Sequence, residues 1–404
     1  MHKKLWNKDF LLMLQGDAVS SLGDILYSVA IGYWVYEKTG SSTLMGLMSS
    51  ISMFMVMIVM PFSGTIIDKC NRKAVIVGMD VARGVIMLVI GALAFAKRLE
   101  IPIVLVAAFL ASGCAVFFEP AVSTLMLDII PHDDMVRGQS VMNGVRTFLN
   151  LVGKAVSGAL VVLLGVPLVI VLNGVSYLIS AFTELFVTVP KTKAQGEPVS
   201  VKGILSDFQV AIEEIIRNPY LRLFIPSALI LNLLSAGPYT LMLPFVLEKG
   251  FTVEMYGYLM SVDTAAAFVS VLLLGIVKFK SKTRYFLLSF GFISATFFTI
   301  AAFLATDFLV MAVLLFLSNF CNMLGNGVFN ASMMLALPED KRGALLGFIS
   351  AASTGGSAIS AVIFGVLCDA FPMVWVFVAG NVISIVPTIY MCLHKNAKEF
   401  VLTH

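Results

Sequence analysis

The chain has 404 residues, of which 59% are hydrophobic and 13% charged, with a mean hydropathy of +0.96 and a formal net charge of +3. Soluble domains carry about a quarter charged residues, so a water-soluble fold is excluded, and so small and scattered a positive excess argues against a nucleic-acid partner. A spanning helix needs about 20 mainly apolar residues, which leaves room for about a dozen spans joined by short turns.

Met1 to Phe10 is basic, but the apolar stretch behind it runs too long and too polar for a cleaved leader, so the first helix is expected to insert and stay. Apolar runs bounded by charged or Gly/Pro-containing turns predict spans at 10–36, 43–67, 74–96, 102–129, 138–165, 167–189, 221–247, 255–277, 285–305, 308–336, 343–368 and 372–393. Lys38, Lys97, Arg98 and Lys249 fall on one side of these twelve spans, while Lys3, Lys4, Lys8, Lys69, Arg72, Lys73 and most other cations fall on the opposite side. That asymmetry predicts both termini in the cytoplasm.

The long polar connection from Lys191 to Asn218 divides the chain into an amino-terminal bundle over 1–189, a cytoplasmic loop over 190–220 and a carboxy-terminal bundle over 221–404. An amphipathic surface helix is expected around Phe208 to Ile216. The halves echo each other: Pro131 to Gly138 after the fourth span returns as Pro338 to Gly343 after the tenth. Two six-helix repeats of parallel orientation predict an all-helical transporter whose site lies between them near the bilayer midplane.

Ionisable groups inside spans cost about 2.5 to 3.5 kcal/mol each at the bilayer centre on insertion scales, so each needs a partner or a wet cavity. In the first span Asp17, Ser20, Ser21, Asp24 and Ser28 share one stripe, and in the fifth Asn143, Arg146, Asn150, Lys154 and Ser157 do the same. Counting rise along the helices puts Asp17, Glu119 and Arg146 roughly 12 to 14 Å deep and Asp24, Lys154 and Asp263 roughly 18 to 24 Å deep. The expected pairs are Asp17 and Glu119 with Arg146, and Asp24 with Lys154. A carboxylate alternately paired and released to a proton is a coupling device; the other reading is fixed ion pairs that set helix packing. Asp24 is the preferred coupling acid, Glu184, near enough to the end of the sixth span to snorkel, is read as structural, and Asp80 with Arg83 is expected to form a local pair. Asn319, Asn322, Asn326 and Asn330 share a face of the tenth span, where they either join helices or line the cavity.

The five cysteines are far apart and without a Cys-x-x-Cys pair, so free thiols are expected. No phosphate-binding glycine loop occurs and the four histidines lie at termini or loops, so neither an enzyme, a cofactor nor a metal site is expected.

Gly64-Thr-Ile-Ile-Asp68-Lys69-Cys-Asn-Arg72-Lys73 resembles the loop 2–3 signature of the major facilitator superfamily. Ser41 to Gly46, Phe118-Glu-Pro120-Ala, Asp207-Phe, Arg217 to Arg222 and Pro338 to Gly343 are similar to its macrolide-efflux-like branch of drug:proton antiporters. The fifth-span signature of such antiporters is altered, with Lys154 where proline is usual. The resemblance implies a bacterial cytoplasmic-membrane exporter of amphipathic compounds, driven by protons and working as a monomer. Residue by residue, it puts Gly64, Asp68, Arg72 and Lys73 in a cytoplasmic gate, with Asp128 as a suitable acidic partner at the end of the fourth span. Ser20, Ser21, Ser28, Asn143, Asn150, Asn326 and Asn330 are expected to line the cavity. A lipid or lysolipid flippase of the same fold is the first alternative, and a metal exporter or a non-transporting membrane receptor the second.

Overall fold

The computed structural model describes residues 5–131, 134–188, 201–277, 279–338, 341–394 and 398–399. These form α1 (Lys8–Thr39), α2 (Ser42–Lys69), α3 (Arg72–Phe95), α4 (Ile101–Ile129), α5 (Met135–Leu164), α6 (Val166–Glu184), α7 (Val201–Arg217), α8 (Pro219–Thr240), α9 (Met242–Glu248), α10 (Val253–Ile276), α11 (Ser281–Leu304), α12 (Phe308–Ala336), α13 (Arg342–Ala370) and α14 (Met373–Leu393). Twelve of them, all but α7 and α9, are long and apolar enough to cross a membrane.

Helix starts follow local chemistry. Asn7 caps α1 by accepting from the Phe10 amide at 2.9 Å, Asn71 caps α3, Asn218 caps α8, Thr252 caps α10 and Asp307 caps α12. The α1 helix ends at Gly40, whose φ of 62° is the left-handed conformation that glycine tolerates. One predicted span is corrected. The run 221–247 is two helices, α8 and α9, broken at Leu241. Pro238 and Pro244 flank the break, and each removes a backbone donor that a continuous helix requires.

The chain divides into two compact units, Met1–Gly40 with Ile51–Val199, and Ser41–Ser50 with Ser200–His404. Ser41 and the first nine residues of α2 therefore belong with the second unit. There the Asp369 carboxylate accepts from the Ser42 and Thr43 amides at 2.6 and 3.1 Å and from the Ser41 hydroxyl at 2.7 Å, capping α2. Ser50 donates to the Ala358 carbonyl at 2.6 Å, about three turns of α13 before Asp369.

Within the first unit α1 packs on α5 and α6, and α3 on α4 and α6; within the second α8 packs on α13 and α14, and α11 on α12 and α14. The pattern of neighbours is thus repeated, as the loop echoes predict. The α7 helix is the amphipathic one, lying on α8 and α13 with Ala211 and Ile215 buried and Ile212 and Ile216 exposed.

Candidate functional site

The ionisable residues of the spans gather in the first unit, and close helix contact brings them together. Gly16 and Gly23 lie seven residues apart on α1, where a Cβ on Gly16 would stand 2.8 Å from Ser180 Oγ and one on Gly23 would collide with Asn173 and Ser176. Small residues on α1 thus let α6 approach until its polar side chains reach the α1 carboxylates. Gly84 of α3 and Gly174 of α6 make a similar approach on the other flank of α6, each Cβ position 3.1 Å from the other's carbonyl oxygen.

Asp17 is 4% exposed and faces Arg146 of α5, whose Nε donates to both carboxylate oxygens at 3.1 and 2.9 Å while a terminal nitrogen adds a bond to Oδ1. The same guanidinium reaches Glu119 of α4 at 3.4 Å. Glu119 is the open end of this chain, its side chain 52% exposed. Arg146 therefore joins three helices, as the sequence spacing expects, and one cation serves two acids of unequal burial.

Asp24 differs from its expected arrangement. Its carboxylate accepts from Asn173 Nδ2 at 3.3 Å and from the Tyr177 hydroxyl, both on α6, rather than from Lys154 on α5. Lys154 is half-buried on α5, and its carbonyl accepts from Ser157 at 2.8 Å. Asp24 thus meets neutral donors directly, with Arg83 and Asp17 in electrostatic range.

Glu184 does not snorkel but is 3% exposed, accepting from Ser180 at 3.3 Å. The reason is that α6 packs against both α1 and α3, so its last turn is covered on two sides. Asp80 and Arg83 form the local pair, fully enclosed, with the guanidinium 4.3 Å from the Phe118 ring centroid and 4.4 Å from that of Tyr177.

The sequence reading passed over Asn173, Tyr177 and Ser180. Their signal is present: with Glu184 they stand at intervals of four, three and four along α6, a single polar stripe like that of α1.

The hydroxyl and amide groups expected to line a cavity are in part turned back on their own helices. Ser20 donates to the Gly16 carbonyl at 3.0 Å, Ser28 to Ile25 at 2.8 Å, Asn150 to Arg146 at 3.0 Å and Asn326 to the Asn322 side chain at 2.7 Å. Ser21 is half-buried, and Asn143 and Asn330 are exposed. In the second unit the Asp263 carbonyl accepts from Asn319 at 2.7 Å, and Tyr239 and Tyr256 lie in electrostatic range of its carboxylate.

Of the gate residues, Arg72 donates to Asp128 at 2.6 Å, linking the start of α3 to the end of α4. Lys73 donates to the Leu185 carbonyl at 2.5 Å, just beyond α6. The surroundings of Gly64 and the side chain of Asp68 lie outside what is described.

Comparison with known proteins adds the family. The Major Facilitator Superfamily matches over residues 16–361 and 229–400. Macrolide efflux protein A of Streptococcus pyogenes is 23% identical over 46% of this chain and 46% of its own length. BacE of Bacillus subtilis, which carries the name of a bacilysin exporter, is 28% identical over 52% of this chain and 51% of its own. The chain spans about half the length of these curated relatives. Among solved structures, a bacterial homologue of the iron transporter ferroportin in its inward-facing state superposes with a TM-score of 0.73 at 17% identity, covering 95% of this chain and 98% of that one. At that identity the likeness speaks for the fold alone. A family match over most of the length, on a helical fold with twelve candidate spans among the described residues, makes this chain a member of the Major Facilitator Superfamily and a multi-pass membrane protein.

Proposed function

We propose that this transporter exports an amphipathic small molecule across a bacterial cytoplasmic membrane in exchange for protons, with both termini in the cytoplasm. The observation that carries the reading is the Asp24 carboxylate, held by a tyrosine hydroxyl and an asparagine amide beside the guanidinium-paired Asp17. An acid whose direct partners are neutral is free to exchange its charge for a proton or for a cationic substrate, whereas Asp17 is tied to Arg146. The names of the two efflux-type relatives favour export, and the excess of cations in the loops assigned to the cytoplasm favours the orientation. Arg72 with Asp128 and Lys73 with the end of α6 act in this reading as the cytoplasmic latch.

The test is reconstitution in liposomes with an internal pH dye, challenged with amphipathic cations and neutral macrocycles. Substrate-dependent proton flux is expected for the wild type and is lost, by at least tenfold, in Asp24→Asn while the protein still inserts and elutes as a folded species. No response to any amphipathic compound, with Asp24→Asn indistinguishable from wild type, would sink the antiport reading. Movement of labelled lysolipid in the same vesicles would replace it with a flippase.

A further inference from the structure

The contact of α3 with α6 holds a second ionisable cluster that the proposed cycle does not use. Asp80, Arg83 and Glu184 are 0%, 6% and 3% exposed. Arg83 pairs with one oxygen of Asp80, while the Ser180 hydroxyl, in electrostatic range of both carboxylates, donates to Glu184 Oε1 at 3.3 Å. A hydroxyl has one proton and serves one carboxylate at a time. Asp80 Oδ2, Glu184 Oε2 and Arg83 Nε remain buried with no hydrogen-bond partner.

The charges around this cluster do not balance. From α1 it is faced by Asp17 and Asp24, from α4 by Cys114, and from α6 by Tyr177. Asp17 is answered by Arg146, and neither a thiol nor a phenol supplies positive charge. Asp24, Asp80 and Glu184 all lie in electrostatic range of the one guanidinium of Arg83, the cation described within this cluster. Unpaired buried carboxylates are expensive, and so are buried acceptors without donors. One added proton relieves both at once, because it removes a negative charge and turns one carboxylate oxygen from acceptor to donor. A metal cation is disfavoured by the guanidinium beside the same oxygens.

We propose that Asp80 and Glu184 form a proton-binding pair inside the first unit, holding one proton on an unpartnered carboxylate oxygen beside Arg83. Proton binding here stands independently of transport; only its use in coupling, through Arg83 and Tyr177 to Asp24, rests on the antiport reading. Loss of the proton adds a negative charge facing Asp24, so the two acids sense each other's state.

Infrared difference spectra of the full chain in lipid nanodiscs, recorded across pH in H2O and D2O, test the pair. A deuterium-sensitive carbonyl band of a protonated carboxyl is expected in the wild type, retained in Asp24→Asn and lost in Glu184→Gln. Glutamine matches the shape of the neutral acid and is expected to fold, and Asp80→Asn provides a second variant that must also lose the band. Absence of the band in wild type, its survival in either Glu184→Gln or Asp80→Asn, or its loss in Asp24→Asn overturns the pair. Failure of the antiport reading looks different: the band and its dependence on Glu184 persist while proton flux ignores substrate.

Discussion

In the first unit Arg146 links Asp17 on α1 to Glu119 on α4 inside the spans, whereas in the second the charged links described, Lys341 with Glu214 at 2.7 Å and the Asp369 cap of α2, lie at helix ends and the spans are crossed by hydroxyls, amides and rings. There the Ser360 hydroxyl accepts from the Gly237 amide at 2.8 Å, Ser357 donates to Asn232 at 2.6 Å, Ser318 to the Ala295 carbonyl at 3.0 Å, and Tyr285 to the Cys392 carbonyl at 3.0 Å. Phe245 stacks on Phe377 with ring centroids 4.8 Å apart, and Phe303 meets both rings. The α14 helix, neighbour to α8 and α11 as α6 is to α1 and α3, carries no Asp, Glu, Lys, Arg or His, and its Ser384 and Thr388 bond back to their own helix. The two units share a pattern of helix neighbours but not the chemistry at the contacts. A packing scheme is kept by small residues and shape, so charge can be concentrated in one copy without altering the other.

The contrast predicts a ranking of sensitivities. The largest loss is expected for Arg146→Ala, which leaves Asp17 buried without its counter-charge; breaking a buried pair by removing one partner costs about 3 to 5 kcal/mol. Thermal unfolding of the purified protein checks it, and a melting temperature equal to wild type would show that the network is dispensable for the fold. Next comes Gly16→Val, whose Cβ would sit 2.8 Å from Ser180 Oγ and push α1 from α6. Overpacking of this kind costs about 1 to 3 kcal/mol. Because the same shift draws α6 away from Asp24, substrate-dependent proton flux is expected to fall with it. Full flux at wild-type stability would mean that the close approach of α1 and α6 is unnecessary. The smallest effect belongs to the second unit: Ser360→Ala removes the acceptor of the Gly237 amide at a cost of about 0.6 to 1.7 kcal/mol, the range for hydrogen bonds between membrane helices. Proton flux is expected to be unchanged. If Ser360→Ala is as damaging as Arg146→Ala in the same melting assay, the division between a unit crossed by buried charge and one crossed by neutral contacts fails.

Hydropathy alone makes the twelve spans legible, since each must present about 20 apolar residues to lipid. The break between α8 and α9 was also written in Pro238 and Pro244, yet a continuous apolar run conceals it. For the site, equal depth along helices was enough to anticipate Arg146 with Asp17 and Glu119. It misled for Asp24 and Lys154, because depth says nothing of which helix face meets which neighbour. The residues that hold Asp24 were detectable as the α6 stripe of Asn173, Tyr177, Ser180 and Glu184, but a polar stripe does not name its partner. Glu184, close to a helix end, reads as near enough to reach water, and only the packing of α6 on two neighbours encloses it.

Sequence by itself determined that this chain lives in a bilayer, how many times it can cross, that its halves repeat, and that ionisable groups concentrate in the first half. These are properties of composition and period, set by the cost of putting each residue in hydrocarbon. Tertiary structure alone decided that α6 supplies the partners of Asp24, that Asp80, Arg83 and Glu184 form one enclosed cluster, and that Asp369 caps α2. Those depend on which helices approach closely enough for side chains to touch. That distance is set by glycines such as Gly16, Gly23 and Gly84 acting together with residues far away in the chain.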